Sequence, residues 1–156
     1  MIKIEIPERG IIELENILID FNGTIAVDGK VKEDIKNKLK ELSELLNVII
    51  LTSDSYGTAR DECAKLGLRV MTYPRGCSGM HKQEMVYVLG ADKTASIGNG
   101  FNDMEMFEAS VLSVAVIEKE GMSSKLIQKS DLLTRSINEA LDLFLIPNYI
   151  KSDLRG

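Results

Sequence analysis

Apolar and polar positions change period repeatedly along the chain, which predicts alternating strands and helices. Two strands are predicted at the start, over residues 2–6 and 11–20, and the second ends in an apolar run suited to a buried position. Apolar residues then recur at helical spacing from Val31 to Leu46, which predicts a helix of about four turns. The short apolar run at 48–52 is typical of a strand in a parallel sheet covered on both faces.

The same alternation continues as far as Leu145. Further helices are predicted over residues 56–67, 80–90, 102–109, 123–130 and 136–145, and further strands over 68–73, 94–98, 111–117 and 131–134. Short connections between alternating strands and helices indicate an α/β fold with a doubly wound, mostly parallel sheet and helices on both faces.

Composition and charge narrow the class of protein. The 156 residues suit one domain, 1–156, with an extra N-terminal strand at 1–6. A net charge of −5 argues against nucleic-acid binding, which needs a basic face. No apolar run approaches the roughly 20 residues of a membrane span, and residues 1–10 show no signal-peptide pattern. The two cysteines form no C-x-x-C pair, so we expect reduced thiols and a cytoplasmic protein.

Polar side chains capable of chemistry follow the predicted strands. Asp20 ends the first buried strand, residues 52–54 (Thr-Ser-Asp) end the next, and residues 98–100 (Gly-Asn-Gly) end a third. Asn and Asp at 102–103 then open a helix, and Lys82 lies near the start of another. Ligands of such sheets bind beyond the carboxyl ends of the strands, so we expect these groups to converge. A carboxylate, a hydroxyl, an ammonium and an Asn/Asp loop are what phosphoryl transfer requires.

Each of these segments also has a simpler interpretation. Asn22-Gly23 between two apolar runs is a strong hairpin signal, and alone it does not exclude a hairpin. The run at 98–103 lacks the third glycine of a dinucleotide-binding loop, but it also suits a plain turn with a helix cap. His81 is expected at the surface, and Cys77 has no predicted role.

Four of these segments together resemble the motifs of the haloacid dehalogenase superfamily. They are Asp-Phe-Asn-Gly-Thr at 20–24, Thr-Ser-Asp at 52–54, Lys82, and Gly-Asn-Gly-Phe-Asn-Asp at 98–103. Within that superfamily the chain is most similar to the phosphorylation domain of P-type ATPases and small soluble proteins related to it. The resemblance extends from about Ile17 to Leu145, which leaves only the first strand outside the family core.

The resemblance implies a role for each matching residue. The catalytic residues it implies are Asp20 as nucleophile, Asn22, Thr52 and Lys82. The Mg²⁺ ligands it implies are Asp20, the backbone carbonyl of Asn22, Asn99 and Asp103. The phosphate contacts it implies are Gly23, Thr24, Thr52, Ser53, Lys82 and Asn102.

Two asparagines depart from the family pattern. Where a phosphatase of this superfamily carries a general acid/base Asp, this chain has Asn22, and that loss typically costs about 10²–10⁴ in rate. Asn99 replaces a carboxylate that most relatives offer to Mg²⁺, so weaker cation binding is expected. The implied activity is a slow phosphohydrolase or phosphotransferase that prefers activated phosphates such as acyl phosphates. The alternative is a catalytically weak or inactive phosphate-binding or regulatory protein of the same fold.

The intervals between the motifs leave no room for a cap domain, for the ATP-binding domain of the pumps or for their membrane helices. The implied substrate is a phosphorylated small molecule or protein, with no nucleic acid or membrane partner. Because capless relatives often close their sites by association, the resemblance also implies a homo-oligomer.

Overall fold

A computed structural model describes residues 1–26, 28–53 and 57–156. The strands are β1 (Ile2–Ile6), β2 (Gly10–Leu14), β3 (Asn16–Asp20), β4 (Asn47–Thr52), β5 (Arg69–Thr72), β6 (Thr94–Gly98), β7 (Leu112–Val116) and β8 (Leu132–Thr134). The helices are α1 (Glu33–Ser43), α2 (Thr58–Ala64), α3 (Ser78–Leu89), α4 (Met104–Ala109), α5 (Ile137–Leu145) and α6 (Asn148–Leu154). Single turns of 3₁₀ helix lie at Ala91–Lys93, Phe101–Asp103 and Ser124–Gln128.

Six parallel strands form the main sheet and confirm the predicted doubly wound α/β fold. Their order is β5-β4-β3-β6-β7-β8, and every pairing is parallel. The chain enters the middle of the sheet at β3, runs outward to β5 and returns to β6 on the other side of β3. Strand order therefore reverses between β3 and β6, which is where open α/β sheets bind ligands.

Helices cover both faces of the sheet and bury two apolar layers. Ile17 and Ile19 of β3 pack in the layer that includes buried residues of α1, α2 and α5. Leu18 packs in the opposite layer with buried residues of α3 and α4. Because side chains alternate along a strand, Asp20 lies on the same face as Leu18, toward α3.

The single strand predicted over residues 11–20 is two strands in different sheets. β2 pairs antiparallel with β1, whereas β3 is the buried centre of the main sheet. Glu15 separates them, with its N–H donating to the Lys93 carbonyl and its carbonyl accepting from the Asn47 N–H, both at 2.9 Å. The burial pattern changes at this point, from a largely exposed β2 to a β3 buried at all five positions. The predicted N-terminal strand is β1, and it belongs to this hairpin.

The turn that contains Asn22-Gly23 does not form a hairpin. Both neighbours of β3 run parallel to it, and the chain after Asp20 makes a compact turn in which the N–H of Ala26 donates to the Phe21 carbonyl at 3.0 Å. The hairpin interpretation of Asn22-Gly23 is therefore wrong, because each edge of β3 is already hydrogen-bonded to a parallel strand.

The connections agree with the predicted absence of a cap domain. Within the described residues, a turn and α1 join β3 to β4, and α2 joins β4 to β5.

The helix predicted over 56–67 is α2, but its expected start at Tyr56 lies outside the described residues, as does Asp54. The C-terminal α6 was not predicted from the sequence. None of the described helices combines the length and apolarity needed to cross a bilayer.

Candidate active site

The site lies at the carboxyl ends of β3, β4 and β6. Asp20 is the last residue of β3 and is 7% exposed. Thr52 ends β4 and is buried, and half-buried Ser53 follows it. Gly98 ends β6 and leads into Asn99. Three segments that are distant in sequence are brought together because parallel strands end at one edge of the sheet.

Lys82 of α3 reaches into this edge and is completely buried. Its Nζ lies 2.7 Å from Asp20 Oδ1 and 2.6 Å from Asp103 Oδ1. Asn102 Oδ1 is 3.4 Å from the same nitrogen, and the Tyr73 ring centroid is 5.5 Å away. One ammonium group therefore bridges the end of β3 and the loop after β6, as the predicted convergence requires.

The charges of this group are strongly coupled. Burial, together with the negative charge of Asp103, raises the pKa of Asp20 to about 7, although the Lys82 ammonium opposes the change. Burial alone would lower the pKa of Lys82, but the carboxylates of Asp20 and Asp103 raise it above its ordinary value. The carboxyl groups of Asp20 and Asp103 thus share a single positive charge, the Lys82 ammonium. A further cation beside Asp20 would favour the charged form of the Asp20 carboxyl group, so the site suits cation binding.

Asp103 uses both of its oxygens for protein contacts. Oδ1 pairs with Lys82, while Oδ2 accepts from the backbone N–H groups of Asn99 at 3.0 Å and Gly100 at 2.9 Å. A Cβ on Gly98 would overlap the Asp103 carboxyl group. Asp103, which was predicted as a metal ligand, therefore holds Lys82 and the loop that carries Asn99 in position in this structure.

We expect Gly98→Ala to destabilise the fold by about 1–3 kcal/mol, because the added methyl group forces the Asp103 carboxylate away from Lys82 and the loop amides. Urea unfolding measures the change. Ser96→Ala on the same strand is the matched control, because no described residue is a hydrogen-bond partner of the buried Ser96 Oγ. Equal midpoints for Gly98→Ala and the wild-type protein would contradict the prediction.

The turn after β3 carries three more of the predicted residues. Asn22 is exposed, and its amide Nδ2 lies 3.5 Å from Thr52 Oγ1. Gly23 has φ +76°, in the left-handed region that favours glycine, and its backbone lies against Asn99. Thr24 is buried, with its hydroxyl 3.3 Å from Asp20 Oδ2 and 3.2 Å from Asn99 Oδ1.

The donor set fits a hard divalent cation. The Thr24 hydroxyl has one proton, yet two acceptor oxygens, from Asp20 and Asn99, approach it. Carboxylate and amide oxygens are ligands that Mg²⁺ accepts. Within the described ranges, no three His, Cys, Asp or Glu side chains form a metal cluster, so the cation would be held with few formal charges.

Other candidate residues lie apart from this centre. His81 is partly exposed, with Nδ1 3.8 Å from Glu84 Oε2. Cys77 is exposed just before α3.

Tyr73 was not predicted as a site residue, although it directly follows β5 at the same sheet edge and packs beside Lys82. Its position after a strand was the signal that could have identified it.

Comparison with known families supports this picture. The family model described as haloacid dehalogenase-like hydrolase matches residues 78–140, a segment that includes Lys82, Asn99 and Asp103. The uncharacterized protein MJ0073 of Methanocaldococcus jannaschii is 43% identical over 63 residues, which cover 40% of this chain and 68% of that protein. MJ0072 of the same organism is 51% identical over 39 residues, covering 25% of this chain and 89% of that protein.

Solved structures share the fold at low sequence identity. The 3-deoxy-D-manno-octulosonate 8-phosphate phosphatase of Moraxella catarrhalis, in complex with a magnesium ion, a phosphate ion and KDO, has a TM-score of 0.71 and 15% identity, covering 89% of this chain and 92% of that chain. The cobalt-bound deoxy-D-mannose-octulosonate 8-phosphate phosphatase of Haemophilus influenzae has a TM-score of 0.72 and 17% identity, covering 92% and 94% respectively. These values establish a common fold.

Proposed function

Since the chain belongs to the haloacid dehalogenase superfamily of hydrolases, we propose that it is a Mg²⁺-dependent phosphohydrolase or phosphotransferase that works through an aspartyl phosphate on Asp20. The observation that carries the proposal is the buried Lys82 ammonium, which lies 2.7 Å from Asp20 Oδ1 at the switch point of the sheet. The substrate is a phosphorylated small molecule or a phosphoprotein.

In the first step Asp20 provides the nucleophile. A carboxylate oxygen attacks phosphorus and forms a P–O bond, while the bond to the leaving group breaks and the leaving group keeps the electron pair. Lys82 and the Thr52 hydroxyl stabilise the charge on the phosphoryl oxygens. In the second step water attacks phosphorus, the bond to Asp20 breaks, and inorganic phosphate and the free carboxylate are produced; in a phosphotransferase an acceptor hydroxyl takes the place of water.

Mg²⁺ would be held by Asp20, the backbone carbonyl of Asn22 and the Asn99 amide oxygen, and when bound it supplies charge neutralisation between nucleophile and phosphate. Asp103 keeps Lys82 and the Asn99 loop in position. The excess of acceptor oxygens at Thr24 supports this assignment. Divalent cations in the Moraxella catarrhalis and Haemophilus influenzae phosphatases, which share the fold, also support it.

Asn22 makes the activity selective for activated substrates. An amide neither protonates a leaving group nor takes a proton from water at neutral pH, and its Nδ2 faces the Thr52 hydroxyl at 3.5 Å. An acyl phosphate has a leaving group that is stable as an anion, so attack by Asp20 proceeds without an acid. An alkyl phosphate needs the missing proton and is hydrolysed slowly.

Initial rates with acetyl phosphate, p-nitrophenyl phosphate and glycerol phosphate, in Mg²⁺ and in EDTA, test the proposal. We expect activity that requires Mg²⁺ and falls in that order of substrates. Equal rates in EDTA, or faster hydrolysis of glycerol phosphate than of acetyl phosphate, would contradict it.

Asn22→Asp combined with Asn99→Asp is expected to raise alkyl-phosphate hydrolysis at least tenfold, because the first change restores an acid/base and the second a charged cation ligand. Steady-state kinetics with glycerol phosphate measure the gain. Asn37→Asp combined with Asn148→Asp, both at exposed positions of helices away from the site, adds the same two charges and is the control. An unchanged rate in the double variant would show that the asparagines do not limit turnover.

The same geometry allows a second function, in which the protein binds a phosphorylated ligand without turning it over. The exposed Asn22 amide in place of an acid/base is the observation that favours it. Isothermal titration with inorganic phosphate in Mg²⁺ would then show binding that Lys82→Met weakens, while all three substrates remain intact. Turnover of acetyl phosphate that depends on Asp20 would exclude this alternative.

A further inference from the structure

The loop that follows β7 contacts the candidate cation site through Asn99. The Asn99 amide Nδ2 donates to the Gly121 carbonyl at 3.2 Å, and the Ser123 N–H donates to the Asn99 carbonyl at 2.9 Å. Glu120 immediately precedes Gly121, which has φ +81°. Two hydrogen bonds thus hold the segment that directly follows Glu120 against the loop that carries Asn99.

The Glu120 carboxylate lies beside the turn after β3. A Cβ built on Gly23 would be 2.8 Å from Glu120 Oε2 and also 2.8 Å from Asn99 Nδ2. Because Glu120 Oε2 and Asn99 Nδ2 are each 2.8 Å from the same point, the distance between these two atoms is at most twice 2.8 Å. A carboxylate and the amide that replaces a family carboxylate therefore border the same short backbone segment.

The loop carries two acidic side chains, Glu118 and Glu120, and within the described residues only that of Glu120 is not engaged by another protein group. Glu118 Oε1 accepts from the N–H of Ile137 at 2.7 Å and so is committed to the start of α5. In the described part of the chain, neither an ion pair nor a hydrogen bond engages the Glu120 carboxylate, and the residue is exposed.

We propose that Glu120 supplies the negative charge that Asn99 lacks, by accepting hydrogen bonds from water molecules bound to the site's divalent cation. Mg²⁺ in proteins usually retains several water molecules, and Glu120 is exposed to solvent beside Gly23 and Asn99, whereas Asp20 and Thr24 are buried. The charge would come from a loop that the four sequence motifs do not include. This inference rests on the cation site of the proposed function.

Isothermal titration of the full-length protein with MgCl₂, without phosphate, tests the assignment directly. Glu120→Gln is expected to weaken Mg²⁺ binding about tenfold, in the range typical of groups that act on a metal through its ligands. Glu5→Gln is the matched control, because Glu5 is an exposed residue of the separate two-stranded β1–β2 sheet, which contains no residue of the candidate site. A Glu120→Gln affinity equal to those of the wild-type and control proteins would overturn the inference.

Two further titrations locate the effect. In the Asn99→Asp background the loss caused by Glu120→Gln should be smaller, because the missing charge is already restored; an undiminished loss would overturn the link to Asn99. Asp20→Asn should remove Mg²⁺ binding altogether. If it does while Glu120→Gln has no effect, only this inference fails; if the wild-type protein binds no Mg²⁺, or if Asp20→Asn binds it normally, the proposed cation site fails as well.

Discussion

Asp20→Asn is expected to lower the rate of acetyl phosphate turnover about a thousandfold or more, because an amide cannot form the phosphoenzyme. The protein should remain folded, since the pKa of Asp20 is already raised to about 7 by burial and an uncharged group suits that position. Initial rates and thermal unfolding of the same preparation separate the two effects. Asp28→Asn is the control: Asp28 is exposed in the turn before α1, with φ 53°, a conformation that asparagine tolerates.

The covalent step provides a second readout of the same substitution. Wild-type protein mixed with acetyl phosphate and Mg²⁺, quenched in acid and examined by intact-protein mass spectrometry, should contain a singly phosphorylated species. That species should be absent from Asp20→Asn and present in Asp28→Asn. Phosphorylation or substantial turnover by Asp20→Asn would assign the nucleophile to another residue.

Lys82→Met is expected to destabilise the metal-free protein by about 3–5 kcal/mol, as removing one partner of a buried ion pair typically does. The Lys82 ammonium lies 2.7 Å from Asp20 and 2.6 Å from Asp103, so its loss leaves two carboxyl groups close together without a counter-charge. Urea unfolding in EDTA measures the change. Lys125→Met, on an exposed position of the Ser124–Gln128 turn, should unfold like the wild-type protein.

A double substitution shows whether repulsion is the cause. Asp20→Asn combined with Lys82→Met should recover part of the lost stability, because one of the two facing carboxyl groups becomes neutral. If the double variant is as unstable as or less stable than Lys82→Met alone, lost packing rather than unpaired charge explains the effect. Asp103 is kept in both variants because it also anchors the Asn99 loop.

The positions of Asp20 and Thr52 were predictable from the chain because a simple rule connects sequence to space. Parallel strands end at one edge of the sheet, and the residue after each apolar run is placed there whatever the helices between them contain. The same rule, applied to the end of β5, would also have identified Tyr73. The resemblance to the phosphorylation domain of P-type ATPases, the homo-oligomer and the individual catalytic roles stay predictions.

The division of residues 11–20 into two strands was not anticipated, because the polar residues Glu15 and Asn16 between two apolar segments do not by themselves reveal a change of partner. Glu15 is the boundary only because its backbone pairs with Lys93 and Asn47, both distant in sequence. The helix α6 was missed because the alternation of strands and helices had already ended at Leu145.

The sequence by itself determined the fold class, the polar residues that stand at the carboxyl ends of the strands, and the two asparagines that depart from the family pattern. It could do so because apolar periodicity and residue identity are local properties. Only the tertiary structure decided that Asp103 is committed to Lys82 and two backbone amides, and that Glu120 stands beside Asn99. These are contacts between loops whose separation along the chain carries no periodic signal. Their geometry follows from how the loops after β3, β6 and β7 pack together at the sheet edge.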